Sequence, residues 1–150
     1  MIVPDIDLLL YAYFSVFPMH EAARRWWEGI AQRGETVGIA PPVLFGFVRI
    51  ATNRRVFLQP MSLQQATAIV EEWLTLPSLH VLRPGPRHVK IAFDLLRTAG
   101  TTRDLTTDAQ ISAYALENRG IVHTVDSDFS RFPGVPLIDP LAGAERRGKA

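Results

Sequence analysis

Short apolar, β-branched runs alternate along this chain with longer stretches of helical periodicity, and that alternation leaves few folds open. The runs fall at residues 1–4, 36–39, 79–82, 121–124 and 135–138, and helices are expected at roughly 18–33, 41–52, 62–75, 86–99 and 107–119. The runs are nearly all apolar, the pattern of strands covered on both faces. Helical connections between such strands favour parallel pairing through right-handed crossovers. The expectation is an α/β fold: a three-layer α/β/α sandwich around a mainly parallel sheet of about five strands.

Several boundaries carry their own chemistry. Ser62 with Gln65, and Thr107 with Gln110, read as capping boxes, and Pro41-Pro42 presets a first helical turn. Gly34, Gly100 and Gly120 stand where C-terminal caps are wanted. With 150 residues, 47% of them hydrophobic, the chain can bury a core as one domain over residues 1–140, with 141–150 ("LAGAERRGKA") expected to fray. Cysteine is absent, so any metal must sit on oxygen or imidazole ligands. No basic leader precedes an apolar segment and no run reaches membrane-spanning length, so a soluble cytoplasmic protein is expected. The net charge of +1 does not by itself announce a nucleic-acid binder. Lys90 and Lys149 are the only lysines, however, and arginine forks suit phosphate.

In parallel α/β sheets, ligands gather beyond the carboxyl ends of the strands. Asp5 ends "MIVPD", Asp126 ends "IVHTVD", and Asp108 opens the helical pattern leading into the latter run. If the first and fourth strands are neighbours, three carboxylates from distant segments converge, a costly arrangement unless a proton or cation relieves it. An oxygen-only donor set of this kind suits Mg²⁺ or Mn²⁺ completed by substrate phosphate. Each acid also has a local reading: Asp108 complements a helix dipole, Asp128 caps "FSRF", and Asp7 caps "LLLYAYF". Asp104 lies in a polar loop and reads as solvated, and Asp126 is the acid least explained by local structure.

The segments "MIVPDIDLLLYA", "LLRTAGTTRDLTTDAQISAYALENRG" and "IVHTVDSDFSRFPG" resemble, in order and spacing, those of PIN-domain proteins, and closely the VapC ribonuclease toxins of toxin-antitoxin pairs. The resemblance covers nearly the whole chain. It puts the family's first, third and fourth acids on Asp5, Asp108 and Asp126, adds Asp128 as the acid of the "D-x-D-F" ending, and sets Thr124 at the polar position before the fourth acid. It implies a Mg²⁺- or Mn²⁺-dependent endoribonuclease that homodimerises and is inhibited by a cognate antitoxin. Two positions depart from the pattern. The family's second acid, a Glu, falls on Gly46, and its usual Asn after the first acid is Asp7. Asp7 or Asp128 is expected to restore the missing charge, with Gly46 serving close approach of backbone or ligand.

RNA would be held through phosphate by Arg49, Arg54 and Arg55, and less directly by Arg131. Trp26 and Trp27 cannot both face the core of one helix, so one is expected at an interface. Neither His20 nor His123 has the paired spacing of a metal ligand. Two rival readings compete: a PIN scaffold that binds antitoxin without cutting RNA, and a haloacid-dehalogenase-type phosphotransferase, for which Lys90 is the available lysine.

Overall fold

The strand Ile2–Pro4 (β1) lies at the centre of a five-stranded parallel sheet, buried along its whole length. The computed structural model describes residues 1–100 and 104–143. In chain order, β1 is followed by α1 (Ile6–Tyr13), α2 (His20–Arg33), β2 (Val37–Ile39), α3 (Pro41–Ala51) and α4 (Leu63–Leu74). Then come β3 (Leu79–Val81), α5 (His88–Ala99), α6 (Thr106–Glu117), β4 (Ile121–His123), a 3-10 turn (Ser127–Arg131) and β5 (Leu137–Ile138). The order across the sheet is β3-β2-β1-β4-β5, all pairs parallel, with Ile2, Val3 and Pro4 opposite Ile121, Val122 and His123. The chain winds outward from β1 in one direction through β2 and β3, then returns to its other side at β4. The β1/β4 crevice is therefore the topological switch point, where open α/β sheets take their ligands.

All five expected strands form, and five helices start and stop within two residues of their expected positions. The helix without an expected range is α1, which the sequence suggests only through a cap at Asp7. Ile6, Leu8, Leu9, Leu10 and Ala12 are all buried, so "LLLYA" shows no polar face at helical spacing to betray it. The helix packs between α2 and α3 and supplies the middle of the core. Trp73 of α4 completes that core, donating from Nε1 to the Tyr13 hydroxyl at 2.8 Å and meeting Phe47 and Trp27 edge-on at 4.8 and 5.5 Å.

The Ser62/Gln65 capping box is present in both directions. The Thr107/Gln110 box is not: α6 starts at Thr106, Leu105 is its N-cap, and Gln110 donates to the Thr106 carbonyl instead. Gly34 and Gly100 take left-handed C-cap conformations. Gly120 does not. Asn118 ends α6 and Arg119 carries the positive φ of 51°, while a Cβ on Gly120 would meet Val3 Cγ2 at 2.6 Å, so that glycine serves close approach of strand and helix. Trp27 is buried, and Trp26 is half-buried against β4, donating to His123 Nδ1 at 3.2 Å. Leu141, in the stretch expected to fray, is buried, and the remainder of that tail from 144 lies outside the described residues. Among the described residues no helix is long and apolar enough to cross a membrane.

Candidate active site

Asp5 follows β1 directly and is 4% exposed. Its Oδ1 accepts the Ile6 N–H at 2.6 Å, making Asp5 the N-cap of α1, and its own N–H donates to the His123 carbonyl of β4 at 3.0 Å. Its Oδ2 accepts from the hydroxyl of Thr124, itself buried, at 2.9 Å. The same hydroxyl oxygen accepts the Asp126 N–H at 2.9 Å, and Asp126 Oδ1 accepts the Asp128 N–H at 2.8 Å. One chain of hydrogen bonds thus joins the carboxyl ends of the two neighbouring strands.

These bonds reassign two caps. Asp5, not Asp7, caps α1, and Asp126, not Asp128, caps the 3-10 turn. Asp7 and Asp128 each fall in the first turn of the element so capped, half-buried and available to the crevice. Asp108 lies in the first turn of α6, also half-buried.

The acids feel one another. Burial, then the charges of Asp7 and Asp108, push the Asp5 carboxyl up to about 8 against the lowering effect of its Thr124 and Ile6 hydrogen bonds. Burial, then Asp126, Asp7 and Asp128, push Asp108 up to about 7. Asp7 is raised by burial and by Asp126. No cation figures among the groups acting on these three acids, so their charge is uncompensated by the described residues. Such a set is relieved by protons or by a hard divalent cation, whose preferred ligands are oxygens of this kind. Among the described residues no three Asp, Glu or His side chains close on a single point as placed, so the acids line the crevice without forming a finished cage.

Gly46 serves close approach and not ligand space: a Cβ there would meet Ile6 Cδ1 at 2.5 Å, so the residue next to Asp5 packs directly on the α3 backbone. Arg49, Arg54 and Arg55 are exposed at the end of α3 and in the segment after it. Lys90 lies on the exposed face of α5, paired with Asp94 at 2.7 Å, and cannot serve a phosphoaspartate at the sheet, which removes the phosphotransferase reading. Two residues at the site were not singled out from the sequence. Tyr11, one turn beyond Asp7, has its phenol pushed up by burial and then by Asp7, Asp126 and Asp5. Ser112, one turn beyond Asp108, is fully buried, and its Oγ has no hydrogen-bond partner among the described residues.

An all-parallel sheet in the order 3-2-1-4-5, with acidic residues at its switch point, defines an α/β protein with an acidic crevice between β1 and β4, the place where open α/β sheets take their ligands. The family model of the PIN domain matches residues 2–135. The chain is 45% identical over 141 residues to Ribonuclease VapC33 of Mycobacterium tuberculosis, covering 94% of this chain and 99% of that protein. Among solved structures, the Mycobacterium tuberculosis VapC20, a sarcin-ricin loop cleaving toxin, aligns with a TM-score of 0.67 at 19% identity, covering 91% of this chain and 99% of that one. A chain of the VapBC2 structure from Rickettsia felis, bound to a DNA fragment from their promoter, aligns at 0.65 and 17% identity over 92% and 98%. The chain belongs to the PIN-domain family, within the group of VapC ribonucleases.

Proposed function

We propose that the protein is the endoribonuclease toxin of a toxin-antitoxin pair, hydrolysing RNA phosphodiester bonds at the β1/β4 crevice with a divalent cation, Mg²⁺ or Mn²⁺. The observation that carries this reading is the hydrogen-bonded chain from Asp5 through Thr124 to Asp126, with Asp7 and Asp108 close enough to push up the Asp5 carboxyl and Asp126 close enough to push up theirs. Asp5, Asp108 and Asp126 would hold the ion, with Asp7 and Asp128 adding charge in place of the acid that Gly46 does not supply. When bound, such an ion supplies Lewis-acid polarisation of a phosphoryl oxygen and a water acidified toward neutral pH.

The chain's own residues prepare that chemistry. Thr124 and the Ile6 N–H fix both oxygens of Asp5, so the carboxylate meets a ligand in one orientation. Asp126 is aimed by its capping bond to the Asp128 N–H. In hydrolysis, water oxygen bonds to phosphorus, the bond to one sugar oxygen breaks, and that oxygen takes up a proton. Arg49, Arg54 and Arg55 are proposed to hold flanking phosphates as the RNA enters.

The proposed partners are RNA, a cognate antitoxin and a second copy of the chain, and the setting is the cytoplasm, where RNA is found. A protein partner is supported by an apolar groove lined by Phe14, Val16, Phe57 and Leu58, with Val16 73% and Leu58 103% exposed. Structural neighbours of the fold were solved as VapBC assemblies. A second reading, a scaffold that binds antitoxin without cutting RNA, is favoured by the glycine at 46 and the unclosed arrangement of acids. The deciding experiment is antitoxin-free protein on structured RNA with Mg²⁺, Mn²⁺ or EDTA, beside Asp5→Asn, Asp108→Asn and Asp126→Asn. Cation-dependent cleavage lost in all three variants supports the nuclease. Wild-type protein that binds antitoxin but never cuts supports the scaffold.

A further inference from the structure

A small cavity of about 200 Å³, lined by Tyr11, Met19, Val125, Asp139 and Leu141, opens beside the acids. It adjoins them twice: Tyr11 stands one turn beyond Asp7 on α1, and Val125 immediately precedes Asp126. Its volume is below the roughly 300–1,000 Å³ of clefts for drug-sized molecules and suits one planar ring system. Met19, Val125 and Leu141 contribute apolar side chains to a lining that is otherwise polar, and Tyr11 is its one aromatic residue among the described residues. That ring is backed by Phe17 at 4.6 Å, and the Tyr11 carbonyl accepts from His20 Nδ1 at 2.8 Å, so its position is fixed before anything binds. Asp139, an exposed residue just past β5, is the one charged group in the lining among the described residues. Its Oδ1 accepts the Leu141 N–H at 2.8 Å, which orients the carboxylate, and among the described residues the remaining lone pairs of Oδ1 and Oδ2 stay available to accept from two donors.

We infer that this cavity receives one unstacked nucleobase of RNA bound at the acids, with Tyr11 as the stacking surface and Asp139 as the acceptor for N–H groups on the base's Watson–Crick edge. Bases of single-stranded RNA are read in this way, by stacking on aromatic rings and hydrogen bonds to exposed edges. An acceptor-only carboxylate discriminates among them. Guanine presents two adjacent donors, N1–H and the N2 amine. Adenine and cytosine place a ring acceptor beside their amine, and uracil sets its single N–H between two carbonyls. Guanine is therefore the base the site favours. The inference rests on the ribonuclease reading for the identity of the polymer, and its test separates the two.

The full-length chain is titrated in EDTA with fluorescent uridine hexamers carrying one central guanosine, inosine or adenosine, and the same hexamers are then incubated with Mg²⁺ or Mn²⁺. Inosine keeps N1–H and lacks the N2 amine. The guanosine hexamer should bind about tenfold more tightly than the other two, and Asp139→Asn should erase that preference. Tyr11→Leu should weaken all three by about tenfold or more, while Tyr11→Phe, which keeps the ring, should not. Equal wild-type affinity for the three hexamers, or a guanosine preference that survives Asp139→Asn, overturns the inference. A guanosine preference without cleavage upholds the pocket and sinks the ribonuclease reading; cleavage without base preference does the reverse.

Discussion

Thr124 holds Asp5 across 119 positions of sequence, its hydroxyl donating to Asp5 Oδ2 at 2.9 Å while its oxygen accepts the Asp126 N–H at the same distance. One buried side chain therefore sets the spacing of the two strand-end acids. Groups that orient ligating carboxylates typically contribute about 10–100-fold to metal affinity or activity. Thr124→Val, which keeps the shape and deletes the hydroxyl, should lower Mn²⁺ affinity and RNA cleavage by about that factor, and Thr124→Ser should retain most of both. Calorimetric Mn²⁺ titration of the three proteins checks this. A Val variant that binds the ion like wild type would show that Thr124 serves folding alone.

Cation and pH should act on stability in opposite directions. The Asp5 carboxyl moves from its ordinary 3.8 to about 8 in the fold, and Asp108 from 3.8 to about 7. Between those values the folded chain holds protons that the unfolded chain has lost. The contribution of these groups is therefore full below 3.8 and drains away as pH rises through about 7 and then about 8. In EDTA the Tm of wild type relative to an Asp5→Asn, Asp108→Asn double variant should fall as pH is raised from about 5 to about 9. Added Mg²⁺ or Mn²⁺ should restore it, most at the alkaline end, since binding requires deprotonated ligands. A cation increment that is largest in acid would contradict the assignment.

How much of this was legible in the sequence depends on whether the signal was local. The all-apolar runs identified the sheet because residues buried on both faces need no long-range information to be recognised. The α1 helix was hidden by the same property, since Leu8, Leu9 and Leu10 are all buried and leave no polar stripe. The acids at the strand ends were legible as a set, but not which of two acids spaced by one residue caps the next element. At both ends the first acid, Asp5 or Asp126, takes the cap and the second falls in the first turn of the element so capped. The packing of Ile6 on Gly46, and the cavity that Tyr11 and Asp139 both line, join distant segments that no motif connects.

Gly46 is a position where charge could be returned. The atom that a Cβ would meet, Ile6 Cδ1, is the end of a flexible side chain, yet Ile6 is buried and can yield only by disturbing the α1/α3 contact. Gly46→Glu alone should therefore destabilise the fold by about 1–3 kcal/mol, the usual effect of overpacking. Combined with Ile6→Val, which removes that terminal methyl, the loss should shrink and Mn²⁺ affinity should exceed that of wild type. Urea denaturation of the single and double variants measures the first effect and calorimetry the second. Unchanged affinity in a well-folded double variant would mean that Asp7 and Asp128 already meet the ion's needs.

At the other end of α6 from Asp108, His88 and Glu117 form a pair whose disruption should harm the fold without touching the chemistry. His88 Nδ1 and Glu117 Oε1 are 2.7 Å apart, with side chains only 10% and 13% exposed, and the His88 ring lies 4.1 Å from Tyr114. The pair ties the start of α5 to the end of α6, and truncating one partner leaves the other buried without its bond. His88→Ala should cost about 3–5 kcal/mol, and Glu117→Gln less, because the amide can still meet the imidazole. Measured below its own Tm, each variant should cleave RNA at the wild-type rate per folded molecule. A rate that falls in Glu117→Gln while its urea midpoint stays unchanged would show that the pair governs the placement of Asp108 as well as the packing of α6.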